Sequence, residues 1–430
     1  MAKQAPGWLI LAGLLLQIVS LVPGVNVSRL AGLLLWLAMA LLWRTIPTNT
    51  RWQAGGLALI GLLLLLLAEM LYRIGFDWSQ LFTGNLYVVA MLIGVSFVGL
   101  IGRDAGAASD PAIGRTGPTA MLQTWFGVHF LGIVLNLSTI FMIGDRLARQ
   151  GTLKLPQILA LNRGLSSAAL WSPFFASMGV VLTLAPELEY SQILIVGFPL
   201  ALLAGLISTL DLRRQFDLSN VTGFSLSPRS LLMPVMMAGL VMLFYLVITP
   251  GLGIVSIITF LMPLTALLSN ALLSRHRILQ RMGQHVRQRL PMMRGEISLF
   301  LAAGLLTLGL STFIEAMTGG NWTLFARFGV SEAIISLLVI VGTAVMGLHP
   351  IIGISVLAST LRLEGSEQTL FGFMALGAWA VGTSVGPLSG INLSLQGRYG
   401  TSGYLLMRHN LVYGAVLLSL VVVALWVLGR

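Results

Sequence analysis

Between positions 382 and 390 the chain places Gly382, Thr383, Ser384, Gly386, Pro387, Ser389 and Gly390, inside the stretch GAWAVGTSVGPLSGINLSLQGRYG. Glycine and proline cost a helix interior about 1 and 3 kcal/mol relative to alanine, so this composition predicts an unwound segment between two apolar stretches. Such a segment can do two kinds of chemistry. Carbonyls released around Gly382 and Gly386 can face a cation, and the N–H groups opening the next half-helix can face an anion. Asn392 and Gln396, four apart on that half-helix, fall on one side of it. Tight packing of small residues between helices is the alternative reading.

Two further stretches carry polar groups around a proline. In RGLSSAALWSPFFASMGVVLTLAP (163–186), Pro173 is surrounded by Ser166, Ser167, Ser172 and Ser177, and Arg163 opens the segment. In LHPIIGISVLASTL (348–361), Pro350 is accompanied by His349, Ser355, Ser359 and Thr360. Proline removes an N–H and clashes with the carbonyl four residues back. Inside a bilayer that break is tolerated where it faces protein or a watery cavity. The hydroxyls then either line a solute path or repair the kink locally. Arg163 meets an anion or marks the membrane face, and His349 is either a proton-coupling group or a hydrogen-bonded core residue.

The elements that must position these groups are membrane helices. Hydrophobic residues make up 57% of 430 and charged residues 9%. Apolar runs near the roughly 20 residues needed to span hydrocarbon recur along the whole chain. The fold class is therefore an all-α polytopic membrane protein, and runs such as GLALIGLLLLLLAEMLY lack the alternation of a barrel strand. Thirteen candidate spans give an expectation of 11–13 crossings, with 121–144, 155–186 and 331–362 either spanning or re-entrant. The first apolar run lacks a small-x-small cleavage site and reads as a retained span. With no cysteine, thiolate chemistry is excluded.

The formal charge of +11 points to a cytoplasmic arginine excess rather than nucleic acid, with anionic lipid contacts as the lesser alternative. SRHRILQRMGQHVRQRLPMMRG (274–295) carries Arg275, Arg277, Arg281, Arg287, Arg289 and Arg294 ahead of any acid, and is placed inside together with 211–220; the acidic 185–190 falls outside. Counting onward through full crossings puts Arg430 inside. Counting backward puts the N-terminus outside if 121–144 crosses, against Lys3, Arg44 and Arg51, and inside if that segment is re-entrant.

An internal repeat organises the chain. LNLSTIFMIGD near Leu135 is answered by LGLSTFIEAMTG near Leu308, the Pro173 stretch by the Pro350 stretch, and SQILIVGFPLALL by EQTLFGFMALGAW. Five intervening spans would invert the second unit, and inverted repeats with broken helices characterise many secondary transporters. Along the chain this gives N-terminal scaffold spans (1–120), a first repeat with its linker (121–228), linking spans and a basic loop (229–296), a second repeat (297–400) and a C-terminal span (401–430).

Paired repeats with an LST triplet followed by a Pro/Ser-broken helix resemble the ion transporter superfamily, which includes divalent anion/sodium symporters and citrate and arsenite carriers. NLST (136–139), GLST (309–312) and GTSVGPLSG (382–390) carry the resemblance. It implies ion-coupling positions at Asn136, Ser138, Thr139, Ser311 and Thr312, joined by Gly382 and Gly386. It also implies an elevator-type carrier, often a homodimer, of small organic anions. Neither triplet reads Ser-Asn-Thr, so Na+ and H+ both stay open as the coupling ion.

The expected function is secondary active transport of a small, anionic solute across a bacterial inner membrane, with no cofactor, no bound metal and no nucleic-acid partner. Substrate-binding groups are expected among Arg163, Ser166, Ser167, Ser172, Ser177, His349, Ser355, Thr383, Ser384, Ser389, Asn392 and Gln396. A membrane-embedded glycosyltransferase or O-antigen ligase would display a large external loop, and a lipid-linked substrate flippase a basic central cavity. The external loops are short and most arginines lie in loops. No P-loop motif is present.

Overall fold

The computed structural model describes residues 5–101, 113–149, 151–225, 228–273 and 278–429. Lys3, Arg275, Arg277, Arg430 and the 103–112 part of the polar linker lie outside the described residues. In chain order the helices are α1 (Ala5–Val19), α2 (Ser28–Leu42), α3 (Thr48–Tyr72), α4 (Leu86–Ser96), α5 (Pro118–Leu135), α6 (Ser138–Ala148), α7 (Leu155–Ser167), α8 (Ala176–Leu184), α9 (Tyr190–Gln215) and α10 (Pro228–Leu243). They continue with α11 (Ile254–Leu273), α12 (Ile278–Gln284), α13 (Leu290–Met292), α14 (Arg294–Thr318), α15 (Val330–Val345), α16 (Pro350–Ser359), α17 (Ser366–Val385), α18 (Gly390–Tyr399) and α19 (Gly403–Leu428). Two short antiparallel strands, β1 (Ile113–Thr116) and β2 (Thr222–Phe224), pair with each other.

Among the described residues, nine helical segments are long and apolar enough to cross a membrane, the α17–α18 stretch counting as one. At 1.5 Å per residue, the 25 residues of α3 reach about 37 Å, enough for the hydrocarbon core. The all-α architecture expected from composition is what the chain adopts.

Contacts divide the chain into two compact units, each gathering stretches far apart in sequence. The consecutive blocks drawn from the sequence are a division along the chain, not in space. Unit 1 comprises 1–102, 244–326 and 354–362. Its central pair is α3 with α14: a Cβ at Gly61 would stand 2.5 Å from the Leu305 carbonyl oxygen, so the missing side chain is what lets the backbones touch. Ser311 and Thr312 lie inside the uninterrupted α14, where the Ser311 hydroxyl donates to the Leu308 carbonyl at 3.1 Å. The match of NLST to GLST therefore pairs a helix break with a continuous helix.

Unit 2 comprises 103–243, 327–353 and 363–430. At its centre stands α17, whose residues from Gln368 to Val385 are all buried. Helices α7, α8, α9, α15 and α19 surround it. One end of unit 2 is marked by the β1–β2 pair, by Lys154 Nζ donating to the Asn220 carbonyl at 2.9 Å, and by Gln215 Nε2 donating to the His409 carbonyl at 3.0 Å. The other end is marked by the Glu187 and Glu189 amides, which donate to Gln368 and Thr369 at 2.9 Å each.

These ties define how the interrupted segments run. α5 leaves the first end, where the Phe224 amide donates to Thr124 Oγ1 at 2.8 Å, and α6 returns there, where Asp145 pairs with Arg398. α15 leaves the second end, where the Phe328 amide donates to Glu367 Oε1, and the chain is back there at Leu363, whose carbonyl accepts from Gln368 Nε2. Both 121–144 and 331–362 are thus re-entrant, from opposite ends, whereas 155–186 runs from one end to the other. A full crossing at 331–361 underlay the placement of Arg430 inside, and the re-entrant path removes that basis.

Candidate functional site

Four helix interruptions gather in unit 2. The first is the tip between α5 and α6, where Asn136 adopts φ 52°, ψ −138°, a sparsely populated conformation for a residue with a side chain. Beside it, Thr139 is fully buried and its Oγ1 has no hydrogen-bond partner among the described residues. Ser138 opens α6.

The second interruption separates α7 from α8 around Pro173. Here each serine answers a carbonyl: Ser172 Oγ donates to Ile133 at 3.2 Å, Ser177 to Ala169 at 3.2 Å, Ser166 to Arg163 at 3.3 Å and Ser167 to Gly164 at 3.1 Å. The Ser172 bond seats the α5–α6 hairpin on this break. His129 adds a second tie, with Trp171 Nε1 donating to its Nε2 at 3.2 Å and its Nδ1 standing 3.0 Å from Ser167 Oγ. Because Nε2 accepts, the imidazole proton sits on Nδ1.

The third is the tip between α15 and α16. Gly347 has φ 103°, and Pro350 begins α16. His349 Nδ1 accepts the Ile351 amide at 3.2 Å, capping the helix start. Its proton therefore sits on Nε2, which has no hydrogen bond among the described residues, and the ring stands edge-on to Trp379 at 5.2 Å.

The fourth lies between α17 and α18. Gly386 is extended at φ −69°, ψ 116°, as the residue before a proline prefers. A Cβ at Gly386 would stand 3.0 Å from the Ala344 carbonyl oxygen, and one at Gly382 would stand 2.6 Å from Pro350 Cγ. Small residues here let the α15–α16 hairpin close onto the break. The unwound stretch is shorter than the 382–390 expected from sequence. α17 runs through Val385, the Gly382 carbonyl still accepts the Gly386 amide at 2.8 Å, and only 386–389 leaves the helix, with the nearby carbonyls met by side chains. Ser389 Oγ donates to Thr383 at 2.8 Å, Asn410 Nδ2 to Ser384 at 2.8 Å and Asn392 Nδ2 to Gly386 at 2.8 Å. Ser389 Oγ also accepts the Asn392 amide at 3.3 Å, capping α18. Thr383 and Ser384 donate back to Trp379 and Val381.

Asparagines join the two broken helices. Asn162 Nδ2 donates to Asn392 Oδ1 at 2.7 Å, and Asn410 Nδ2 donates to Asn162 Oδ1 at 3.1 Å. Next to them Arg163 is fully buried and donates to Asn410 Oδ1 (2.7 Å), the Ser208 carbonyl (3.2 Å), Asp211 Oδ2 (2.7 Å) and the His409 carbonyl (2.9 Å). The Tyr413 ring lies 4.6 Å from its guanidinium carbon. A guanidinium has five N–H donors, so the protein itself engages most of this cation.

Of the residues singled out from sequence, unit 2 brings together Asn136, Ser138, Thr139, Arg163, Ser166, Ser167, Ser172, Ser177, His349, Thr383, Ser384, Ser389 and Asn392, with Gly382 and Gly386. Gln396 is exposed at the end of α18 and accepts the Gly403 amide at 3.1 Å. Ser311, Thr312 and Ser355 belong to unit 1, and Ser355 Oγ is buried without a partner among the described residues. Sequence reasoning passed over Asn162, Asn410, Asp211, His129 and Tyr413. The signal available was polarity deep in apolar helices, as in RHN at 408–410; Asp211 was absorbed into the basic linker.

Chemically, hydroxyls that donate to backbone carbonyls leave lone pairs, which suit a cation. Donors for an anion come instead from His349 Nε2–H, the side-chain Nδ2–H of Asn136, whose backbone N–H is taken by the Gly132 carbonyl, and helix N-termini.

No protein-family model matches the chain, and no curated protein matches it. Among solved structures, the crystal structure of the Alcanivorax borkumensis YdaH transporter, described as having an unusual topology, is similar over 89% of this chain and 100% of its own, with a TM-score of 0.51 and 17% identity. At that identity the likeness is one of fold. The chain is a multi-pass helical membrane protein that shares the fold of a transporter.

Proposed function

We propose that the chain is a secondary active transporter that moves a small organic anion across the membrane, coupled to Na+ or H+, by elevator-like alternating access. The observation that carries this reading is the arrangement within unit 2. The α5–α6 hairpin enters from one end and is seated on the first broken helix, the α15–α16 tip with Ala344 and Pro350 enters from the other and closes on the second, and Asn162–Asn392 bridges the two breaks. Interrupted helices of this kind set helix ends and free polar groups at mid-depth, where transporters bind solutes. In the proposal, unit 2 carries the solute. His349 Nε2 and Asn136 donate to its anionic group, while Thr139 Oγ1 and hydroxyl lone pairs near the first tip hold the coupling cation. The similarity in fold to a transporter supports the same reading.

The sides of the membrane follow from charge. The first end of unit 2 carries Arg146, Arg149, Lys154, Arg213, Arg214, Arg398 and Arg408, and the second carries Glu187, Glu189, Glu332, Glu364 and Glu367. The positive-inside rule makes the first end cytoplasmic. Flux of labelled dicarboxylates and other small anions into proteoliposomes, with and without a Na+ or pH gradient, tests the function. Gradient-driven uptake is expected; a panel without any such uptake would count against the coupled-carrier reading.

A further inference from the structure

The geometry points to a binding site for a phosphate-bearing anion, the headgroup of an acidic phospholipid or free phosphate, at the basic end of unit 2. Arg146, Arg149 and Arg398 line an open cavity of about 510 Å³ together with Met142, Asp145 and Ala148.

The charges in this cavity are not equivalent. Arg398 is consumed by Asp145, with Nε to Oδ1 at 3.1 Å and Nη2 to Oδ2 at 2.7 Å, and the Tyr399 hydroxyl donates to the same carboxylate at 3.1 Å. Asp145 is thereby neutralised and fixed. Arg146 rests over the Phe224 ring at 5.9 Å, which orients its guanidinium without cancelling its charge. Arg149 is exposed. Among the described residues neither Arg146 nor Arg149 forms an ion pair. Two uncompensated guanidinium groups, one of them pre-oriented, face a common cavity, and planar guanidinium forks match phosphate oxygens.

Size and setting narrow the ligand. A water occupies about 30 Å³ in the liquid, so the cavity has room for a diester with its glycerol substituent as well as for a single ion. Met142 and Ala148 supply an apolar wall, and the β1–β2 pair beside Phe224 places the cavity at the end of the transmembrane helices. Basic pockets there bind acidic headgroups. Because Asp145 sits on α6 and Arg398 on α18, occupancy would brace the returning arm of the first hairpin against the second broken helix.

Native mass spectrometry of the detergent-solubilised protein, titrated with phosphatidylglycerol or phosphatidylcholine, tests the site. Phosphatidylglycerol is expected to bind more tightly, and the double variant Arg146→Gln/Arg149→Gln to weaken it roughly thirtyfold, the effect of two charges next to an acidic lipid. Arg213→Gln/Arg214→Gln, which removes the same charge from the same end, is expected to leave binding unchanged. Inorganic phosphate that competes with the lipid assigns the site to phosphate as such; phosphate that does not compete assigns it to the lipid. Equal loss in the two double variants, or equal binding of both lipids to the wild type, would overturn the proposal. Should the first double variant fail to fold, Arg149→Gln at the exposed position decides by the same comparison.

Discussion

Asn162 on α7 and Asn392 on α18, 230 residues apart, share a 2.7 Å side-chain hydrogen bond in a fully buried setting. Each is committed on both sides of its amide, because Asn392 also donates to Gly386 and Asn162 also accepts from Asn410. The pair therefore fixes the spacing between the two broken helices while satisfying the carbonyls released by one of them. Asn392→Leu strands the Gly386 carbonyl and the Asn162 amide, and unmet buried polar groups cost about 1–3 kcal/mol each. Thermal unfolding in detergent is expected at a lower temperature, with uptake reduced more than tenfold. Wild-type uptake and stability in this variant would show that the bridge has no role.

Arg163 and Asp211 make the second prediction. Their 2.7 Å pair is buried, with side-chain exposures of 0% and 8%. Removing one partner of such a pair leaves an uncompensated charge and costs about 3–5 kcal/mol, whereas exchanging both for apolar groups of similar volume is much milder. Asp211→Ala is expected to unfold far more readily than Arg163→Met/Asp211→Leu. An equal loss in both variants would show that the bonds of Arg163 to Asn410 and to the Ser208 and His409 carbonyls hold the fold as much as the ion pair does.

How far the sequence discloses this arrangement depends on the kind of interaction. The break at 386–389, inside the 382–390 segment singled out from sequence, and the Pro173 break are visible because glycine and proline act on the backbone locally, wherever the chain goes. The re-entrant course of 121–144 is not visible in hydropathy, since α5 is itself 18 residues long and apolar. What turns the chain back is Asn136 in an unusual conformation, reinforced by the Asp145–Arg398 pair across 253 residues. The Asn392–Asn162–Asn410 bridge is tertiary, so periodicity carries no trace of it. The LST match misled because Ser311 lies in a continuous helix and bonds back within its own turn, while Asn136 ends a helix.

Thr139 offers a test of the coupling ion. Its Oγ1 is buried without a partner among the described residues, beside the strained backbone of Asn136, and strain of this kind clusters at functional sites. Thr139→Val keeps the shape and removes the oxygen. If a cation sits there, half-saturation by Na+ in the uptake assay should rise roughly tenfold, the loss expected for one charge-assisted contact, with folding retained. Unchanged cation dependence would move the coupling site elsewhere.

His349 divides its two nitrogens between two tasks, which permits a split test. Nδ1 caps α16 by accepting the Ile351 amide, and Nε2 is left to donate outward. Asparagine reproduces an acceptor near Nδ1, and glutamine a donor near Nε2. His349→Asn is expected to keep stability while KM for the anion rises roughly tenfold or more, as loss of a bond to a charged group implies. His349→Gln is expected to hold KM and lose some stability. The opposite pattern, KM raised by glutamine alone, would remove Nε2 from solute binding.

The absence of cysteine from the chain makes sidedness directly measurable. Asp217 is exposed at the basic end of unit 2, where the Ser219 amide and side chain hold its carboxyl below the usual carboxylate range, so it is an anion amid the arginines. Glu364 is exposed at the acidic end. Single variants Asp217→Cys and Glu364→Cys then report the two faces through a membrane-impermeant maleimide applied to intact cells. The charge distribution predicts labelling of Glu364→Cys before lysis and of Asp217→Cys only after it. Because both hairpins are re-entrant, a cysteine at Ser402, just ahead of α19, belongs with Asp217, and the far end of α19 belongs with Glu364. Labelling of Ser402→Cys in intact cells would mean that the 331–362 segment crosses, which would dismantle the two-hairpin arrangement on which the transport proposal rests.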